Sequence, residues 1–360
     1  MAFALPPDAS KTKIDKAGEI LARSAQLRGP RRPLHLEEAT DLAEKWRACH
    51  AYPINTFQAT LRNRMLSNGL EGTVAQRLKR MPTILGKLRR YDKMTLTTMQ
   101  DIGGVRAILE SPDAVRRLTL LYKEGKRLRH ELANEKDYIT NPRDADGYRG
   151  VHLIYKYVNP RAQDYNGLRI ELQIRTRLQH YWATAVETMG TILDQDLKFR
   201  QGEQKWLEFF ALISSSLARR ERCPPVPRFS ELNNFETNGR IRALEAELGA
   251  LNKMSGIKVA AREIEKREAG SASGLRHYLI ILNTQERRLR IRVFDAARHQ
   301  AALEAYGVAE KRASEGEPLD ALLVGGRGIK ELRRAFPNFF LDISMFWAIL
   351  HDMCDESSQE

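Results

Sequence analysis

The stretch that decides the fold is residues 135–187, EKDYITNPRDADGYRGVHLIYKYVNPRAQDYNGLRIELQIRTRLQHYWATAVE. Within it, LRIELQIRT at residues 168–176 alternates between apolar and polar side chains. A period of two predicts a β-strand whose apolar side chains enter a core and whose polar side chains share an open face. The polar set consists of Arg169, Glu171, Gln173 and Arg175. Arginine, carboxylate and amide groups in one row on a sheet face suit a site that holds phosphates and a metal.

Strands and helices alternate along the rest of this region. GYRGVHLIYKY predicts a strand over 150–158, the segment NPRAQDYNG predicts a hairpin, and a helix is expected after Thr176. A further strand is predicted around 128–137, and a helix follows the Ser111 cap. Because the pattern includes an antiparallel hairpin, we expect an α+β fold with a mixed sheet covered by helices, not an all-parallel fold.

Composition bounds the class of protein and its partners. A chain of 360 residues with 42% hydrophobic residues can build two domains with real cores. The stretch MAFALPPDASKTK lacks the long apolar run that is typical of a signal peptide, and no stretch approaches the about 18 to 20 apolar residues of a membrane span. We therefore expect a cytoplasmic protein without a membrane span. The three cysteines are far apart, which disfavours a disulfide framework or a zinc site. The net charge of +13 favours polyanionic partners such as nucleotides or RNA, or simply serves solubility.

A basic segment, TVAQRLKRMPTILGKLRRY, occupies residues 73–91. Pro82 suits a helix start, which predicts a short strand before it and a helix after it. Arg77 and Lys79 are then expected on one face of the strand, and Lys87 and Arg90 on one face of the helix. Four cations at a strand-to-helix junction can surround a triphosphate, but a solvated basic face is an equal alternative on spacing alone.

The next segment, MQDIGGVRAIL, places Asp101 before a glycine turn and Arg106 on the strand that follows. Gly103 and Gly104 let the backbone pass close to a ligand. An aspartate in this position is usually a cap or turn residue. It can also bind Mg²⁺, which takes one or two carboxylates together with substrate phosphates.

Five stretches, RLKRMPTILGK, DIGGVR, EKDYITNP, GYRGVH and ELQIRT, stand in the order and spacing of the alarmone synthetases. Over roughly residues 50–195 the chain therefore resembles the synthetase domain of the RelA/SpoT family. The resemblance implies a mixed five-stranded sheet with packed helices and a Mg²⁺-dependent pyrophosphokinase. Such an enzyme moves the β,γ-pyrophosphate of ATP to the ribose 3′-hydroxyl of GDP or GTP, which makes (p)ppGpp.

The resemblance also implies roles for individual residues of the donor half. Arg77 and Arg106 correspond to the two guanidinium planes that sandwich the ATP adenine. Residues that correspond to the clamp on the ATP phosphates are Lys79, Lys87 and Arg90. Asp101 corresponds to the Mg²⁺ ligand, and Glu171 to a second acidic residue that helps hold the metal and takes the proton of the attacking hydroxyl.

On the acceptor side, Tyr148 corresponds to the residue that stacks on the acceptor base. Residues at positions near the acceptor nucleotide and its phosphates are Lys136, His152 and Gln173. Read from the residues alone, Tyr148 is equally a turn aromatic and His152 an ordinary strand histidine. His180 stands where small synthetases often carry asparagine facing the guanine, so guanine specificity does not follow.

These readings divide the chain into four parts. We expect a flexible basic tail over 1–34, a synthetase domain over 35–222, a helical linker over 223–273 and a regulatory α+β domain over 274–360. About fifty residues precede the stretch that resembles the synthetase, too few for the hydrolase domain of long family members, so we expect no alarmone hydrolysis.

The C-terminal pattern VGGRGIKELRRAFPNFFLD resembles fused toxin–antitoxin alarmone synthetases of the CapRel kind. This second resemblance implies an alternative function, in which the acceptor is the 3′ end of tRNA and the C-terminal domain restrains the toxin. It also implies a protein ligand for that domain. Homo-oligomerisation stays open.

Overall fold

The computed structural model describes residues 3–24, 35–125, 128–193, 204–256, 276–283, 288–325 and 339–355. Contacts between residues divide the chain into two compact units. The first unit comprises Met1–Tyr138 and Gly150–Arg177, and the second comprises Ile139–Arg149 and Leu178–Glu360. Within the described ranges, no helix combines the length and the apolar character that a membrane span requires.

A five-stranded sheet forms the centre of the first unit. Its elements are α1 (Lys11–Ser24), α2 (Leu36–Ala48), α3 (Ala51–Ser67), β1 (Gly72–Leu78), α4 (Met81–Arg90), β2 (Gly103–Leu109), α5 (Pro112–Lys123), β3 (Glu131–Asp137), β4 (Val151–Lys156) and β5 (Arg169–Thr176). The strand order is β1-β2-β5-β4-β3. The β2–β5 pair is parallel and the other pairs are antiparallel, which confirms the predicted mixed sheet and α+β class.

Strand β5 buries the side chains that its alternating pattern predicts. Ile170, Leu172 and Ile174 are fully buried, each with 0% of its surface exposed. The helix after β5 begins at Arg177, as expected. The Ser111 cap of α5 is also confirmed, because its Oγ accepts a hydrogen bond from the backbone N–H of Ala114 at 3.2 Å. The opposite face of β5 carries Arg169, Glu171 and Gln173, all partly exposed. The expectation of an open-face position is wrong for Arg175, which is 3% exposed at the end of the strand.

The prediction of a flexible tail over 1–34 is wrong for residues 11–24, which form α1. Ile14, Ala17 and Leu21 are buried in a core that includes Ile84 of α4. Their spacing of three and four residues makes one apolar helix face, and burial of that face outweighs the basic composition of the segment. Residues 25–34 lie outside the described residues.

The second unit combines helices with a small sheet. Its elements are α6 (Arg177–Ile192, from Leu178 onward), α7 (Gln204–Arg220), α8 (Asn234–Leu248), β6 (Arg276–Asn283), β7 (Arg288–Asp295), α9 (His299–Ser314), β8 (Leu319–Gly325) and α10 (Phe339–Cys354). The sheet order is β7-β6-β8 and both pairs are antiparallel. The predicted C-terminal strands, α9 and α10 are thus present, whereas the helix and loop predicted after β8 include residues 326–338, outside the described ranges.

One hydrophobic core joins the helices of the second unit to its sheet. It includes Phe210 of α7, Ile241 of α8, Tyr278 of β6 and Phe346 of α10. The rings of Phe210 and Phe346 lie 6.2 Å apart between centroids. The expected division at residues 273/274 therefore runs through a shared core.

The interpretation of the linker helix as exposed or partner-facing is wrong for α8. Ile241 has 0% of its surface exposed and Leu248 7%. These two residues are seven apart and so lie on the same face of the helix, although half of the six residues between them are charged. The part of the expected linker over 257–273 is outside the described residues.

Candidate active site

Strand register places four predicted site residues in one row across the first unit's sheet. Arg106 of β2 pairs with Gln173 of β5, Gln173 pairs with His152 of β4, and His152 pairs with Lys136 of β3. Directly paired residues point to the same side of a sheet, so this row runs along the open face. The row joins donor and acceptor candidates that are up to 67 residues apart in the chain.

A second row, two residues away, brings Arg77 and Glu171 to the same face. Arg77 of β1 pairs with Gly104 of β2, and Gly104 pairs with Glu171 of β5. A Cβ atom added to Gly104 would lie only 3.3 Å from the backbone oxygen of Glu171. Glycine therefore keeps the space beside Glu171 clear of a side chain.

A continuous chain of hydrogen bonds links the side chains of the two rows. Arg106 Nε donates to Gln173 Oε1 at 3.2 Å, and Gln173 Nε2 donates to Glu171 Oε2 at 2.7 Å. Glu171 Oε1 lies 2.8 Å from His152 Nδ1. A carboxylate only accepts, so Nδ1 carries the proton in this pair. The amide of Gln173 can satisfy both neighbours in one orientation only, which holds Arg106 and Glu171 in a defined relation.

Glu171 remains ionised at neutral pH. Burial alone would raise the pKa of this carboxyl, but the charge of His152 and the hydrogen bonds from His152 and Gln173 outweigh burial and lower the pKa below its ordinary value. A nearby negative charge on Asp101 acts in the opposite direction. The two candidate catalytic carboxylates are therefore close enough for the charge of Asp101 to affect the pKa of Glu171.

Asp101 is held between two lysines that approach from different elements. Lys79, one residue beyond the end of β1, places Nζ 2.7 Å from Oδ2, and Lys87 of α4 places Nζ 3.0 Å from Oδ1. Burial by itself raises the pKa of Asp101, but the two ammonium groups lower it far below its usual range. Burial lowers the pKa of Lys79, against the attraction of Asp101. Because β1 ends at Leu78, the prediction that Lys79 lies on this strand is wrong by one residue.

Local signals explain how the basic side chains reach this carboxylate. The backbone N–H of Lys79 donates to the carbonyl of Ile102 at 2.8 Å, which extends the β1–β2 ladder to the residue beside Asp101. Pro82 opens α4, as its sequence position predicts. Arg90, the last residue of α4, follows Lys87 by three positions and lies on the same side of the helix.

Tyr148 and His180, the other two predicted acceptor residues, belong to the second unit. Tyr148 is half-buried, with the Arg143 guanidinium 4.5 Å from its ring centroid. The centroid of its ring lies 6.3 Å from that of Trp182, and the two ring planes are inclined at 61°. His180 lies in α6 and is 7% exposed. Ten of the twelve predicted site residues therefore lie in the first unit and two in the second.

The site also uses residues that the sequence reasoning missed. Asp15 of α1 accepts from the backbone N–H and the hydroxyl of Thr97, at 2.8 and 2.9 Å. Arg169 Nη1 donates to the carbonyl of Thr98 at 2.5 Å. Both contacts hold the segment just before Asp101. The alternation of β5 marked Arg169 as an open-face residue, but no local pattern connects Asp15 to a residue 82 positions away.

The carboxylates fit a magnesium ion by the chemistry of their donors. Asp101 and Glu171 are both ionised, and a carboxylate has about four lone-pair positions, so each keeps accepting capacity beside its present hydrogen bonds. Among the described residues, no group of three or more His, Cys, Asp or Glu could hold a metal. Two carboxylates completed by substrate phosphates are the usual environment of Mg²⁺ and not of zinc.

Comparisons with known proteins concern the stretch of chain that contains this site. Residues 76–189 match the family model described as the region found in RelA / SpoT proteins. All five motifs fall inside this stretch, which confirms their resemblance to RelA/SpoT proteins for this part of the chain. The resemblance of the C-terminal end to CapRel-type proteins stays a prediction.

Two curated relatives and one solved structure place the match in context. GTP pyrophosphokinase YjbM of Bacillus subtilis is 31% identical over 121 residues, which cover 32% of this chain and 55% of the relative. The uncharacterized protein Rv1366 of Mycobacterium tuberculosis is 33% identical over 132 residues, 35% of this chain and 42% of the relative. The chain thus spans about half the length of these relatives. The small alarmone synthetase 1 of Bacillus subtilis, solved with its product pppGpp, is 21% identical with a TM-score of 0.42, and the match covers 50% of this chain and 92% of that one.

Proposed function

We propose that this protein is an ATP-dependent pyrophosphokinase that transfers the β,γ-pyrophosphate of ATP to the ribose 3′-hydroxyl of GDP or GTP. The observation that carries the proposal is the pair of ionised carboxylates: Asp101 between Lys79 and Lys87, and Glu171 beside His152 on the open face of the sheet. The RelA/SpoT match and the pyrophosphokinase relatives support the same reaction. Transfer of this kind depends on alignment and charge stabilisation more than on covalent help from the protein.

The donor ATP takes the end of the site formed by β1, α4 and β2. Arg77 and Arg106 hold the adenine between their planar guanidinium groups, which stack well on aromatic faces. Residues that neutralise the triphosphate are Lys79, Lys87 and Arg90. Lys79 and Lys87 both contact Asp101, so the two ammonium groups are held beside the carboxylate that would bind the metal.

Magnesium would be held by Asp101 and Glu171 together with the phosphates of ATP. When bound, it supplies positive charge next to the transferred pyrophosphoryl group and its leaving group. Glu171 is oriented by His152 and Gln173 and takes the proton of the attacking 3′-hydroxyl.

For the acceptor nucleotide, the predicted residues keep the roles that the resemblance implies. Tyr148 stacks on its base and His180 contacts the base edge, while Lys136 and His152 lie towards its phosphates. Gln173 was expected among these contacts as well. Because its amide oxygen and nitrogen are engaged by Arg106 and Glu171, we assign it to hold those two side chains in place.

A second candidate acceptor is the 3′ end of tRNA. The net charge of +13 favours it, since a tRNA brings many more phosphates than a nucleotide. In this alternative the protein is a growth-arresting toxin that its C-terminal residues restrain, with a protein ligand as the trigger. A cytoplasmic location and self-association fit both candidates.

A labelling reaction tests the proposal. The full-length protein is incubated with Mg²⁺ and γ-labelled ATP, and with GDP, GTP or bulk tRNA in separate reactions. We expect label in the guanosine nucleotides. Asp101→Asn should reduce the rate at least about a hundredfold, because a metal-held charge stabilises the transition state by several kcal/mol. Asp113→Asn is the matched control, since the Asp113 side chain is 88% exposed on α5.

The outcomes separate the candidates. Label in tRNA alone, lost steeply as salt rises, would replace the nucleotide acceptor with tRNA. Equal rates for Asp101→Asn and Asp113→Asn would remove the assigned metal ligand. An absence of label from all three acceptors, with folded protein, contradicts the proposed function.

A further inference from the structure

The eleven-residue segment Ile139–Arg149, which we term the Tyr148 loop, is closed and anchored entirely within the second unit. Arg149, its last residue, donates from Nη1 to the carbonyl of Ile139, its first residue, at 3.3 Å. Nη2 of Arg149 donates to the carbonyl of Pro224 at 2.6 Å, and Nε donates to Ser214 Oγ on α7 at 3.0 Å. One side chain therefore ties both ends of the loop to two other segments.

Arg149 is unusually buried for a charged residue, with 3% of its surface exposed. Burial lowers the pKa of its guanidinium to about 10, which leaves it charged at neutral pH. A buried charge is costly unless its donors are satisfied, and the three hydrogen bonds to Ser214, Ile139 and Pro224 supply that compensation. Such an arrangement suits an anchor, not a side chain that contacts a changing ligand.

Ser214 holds the loop from the opposite side. Its Oγ accepts from Arg149 and donates to the carbonyl of Gly147 at 2.5 Å. Gly147 has φ +75°, and a Cβ atom there would lie 2.9 Å from Ser214 Cβ and 3.0 Å from Ala211 Cα. The loop backbone at Gly147 therefore lies in close contact with α7. Because Gly147 and Arg149 are the two neighbours of Tyr148, the serine attaches the chain on both sides of that residue.

Contacts inside the loop then orient Tyr148 itself. Its backbone N–H donates to Asp146 Oδ1 at 3.0 Å. Arg143 forms an ion pair with Asp146 Oδ2 at 2.7 Å and lies over the Tyr148 ring. Contacts within the protein therefore hold both the backbone and the ring of Tyr148.

We propose that Arg149 and Ser214 are positioning residues for the acceptor, which hold Tyr148 against α7 in the place where it stacks on the acceptor base. This inference rests on the proposed function for the role of Tyr148, while the anchor itself is a property of the fold. A preorganised ring spares the acceptor the cost of ordering the loop. Since the donor candidates all belong to the first unit, loosening this anchor should weaken acceptor binding and leave ATP binding unchanged.

The matched pair Ser214→Ala and Ser216→Ala tests this role. Both serines lie on α7 and are buried, but Ser216 bonds to Asn238 and not to the loop. In Ser214→Ala, hydrogen exchange at the amides of Gly147 and Tyr148 should speed up about five- to tenfold, because two hydrogen bonds are lost. The KM for GTP should rise about five- to tenfold at constant KM for ATP. Ser216→Ala should change neither quantity.

Arg149→Lys provides a second variant, because lysine keeps the charge but cannot reach three acceptors in three directions. This variant should speed up hydrogen exchange at the amides of Gly147 and Tyr148 and raise the KM for GTP. Equal loop exchange in Ser214→Ala and Ser216→Ala would overturn the anchor, and an equal rise in the KM for both substrates would overturn its acceptor role. If the wild-type protein transfers no label to any acceptor, the proposed function fails, and the exchange comparison alone decides whether Arg149 and Ser214 hold Tyr148.

Discussion

The two units place their site residues by different physical means. In the first unit, Arg106, Gln173, His152 and Lys136 are brought together by strand register. In the second unit, Tyr148 is placed by contacts that connect its loop to residues 65 and 75 positions further along the chain. A row set by register depends on backbone hydrogen bonds that almost any sequence can form, whereas the loop depends on two particular side chains. Substitutions should therefore act locally in the first unit and through loop order in the second.

The largest effect is expected from Glu171→Gln, which keeps the shape of the side chain and removes its charge and basicity. General-base catalysis contributes about 10²- to 10⁴-fold, and this carboxylate also serves the metal, so kcat should fall at least about a thousandfold. Steady-state kinetics with ATP and GTP measures it. Glu131→Gln is the control, because Glu131 is 60% exposed on β3 of the same sheet and pairs only with Lys156 in the described structure. A Glu171→Gln enzyme with more than a tenth of wild-type kcat would contradict the assignment.

A smaller effect is expected from Gln173→Leu, which breaks the chain between Arg106 and Glu171. Hydrogen bonds to charged groups contribute about 1.5–3 kcal/mol each, so kcat/KM should fall about ten- to a hundredfold. Because the change touches a guanidinium on the donor side and a carboxylate at the centre, both the KM for ATP and kcat should respond. Gln76→Leu, at an exposed position of β1, is the control. A loss confined to the KM for GTP would restore Gln173 to the acceptor site.

Asp15→Asn should have a still smaller effect, directed at the donor. It weakens the bonds from α1 to Thr97, and the segment before Asp101 then loses one of its two supports. We expect the KM for ATP to rise about three- to tenfold, as for the loss of one or two hydrogen bonds. The KM for GTP should stay constant, which is the mirror image of Ser214→Ala. Asp41→Asn, at an exposed helix position, should leave both constants unchanged. Parallel changes in the two constants would show that α1 supports the fold and not the donor site.

The smallest expected effect concerns stability and pH in the first unit. Burial lowers the pKa of His50, which is 1% exposed, to about 4. In the unfolded chain His50 has its ordinary pKa of about 6.5. The contribution of His50 to the free energy of unfolding is therefore fully present above that pH and declines as the pH falls towards 4. Between pH 7 and pH 5.5 the free energy of unfolding should fall by about 1 kcal/mol through this residue.

Denaturant unfolding at both pH values, on the wild type and on His50→Gln, measures this decline. The difference between the two proteins cancels the contributions of other titrating groups. An identical decline in both proteins would show that folding does not lower the pKa of His50.

The sequence predicted much of the first unit because its signals are local. The alternation in LRIELQIRT indicated both the buried and the open face of β5, and Pro82 and Ser111 marked two helix starts that the structure confirms. The apolar face of α1 was present in the sequence as well, but Ile14, Ala17 and Leu21 stand in a basic segment that was read as a tail. The basic composition of the segment drew attention away from the helical spacing of its apolar residues, which are the ones that the structure buries.

By itself, the sequence determined which residue types were available and in which order: carboxylates at 101 and 171, cations before each of them, and a glycine turn ahead of Tyr148. The strands, helices and turns on which these residues stand could be predicted because periodicities and turn preferences involve only a few neighbouring residues of the chain. Only the tertiary structure decided that Lys79 and Lys87 converge on Asp101, that Asp15 supports the same segment, and that Ser214 holds the Tyr148 loop. Such pairings join residues 14 to 82 positions apart, so they depend on how whole elements pack and not on any local preference.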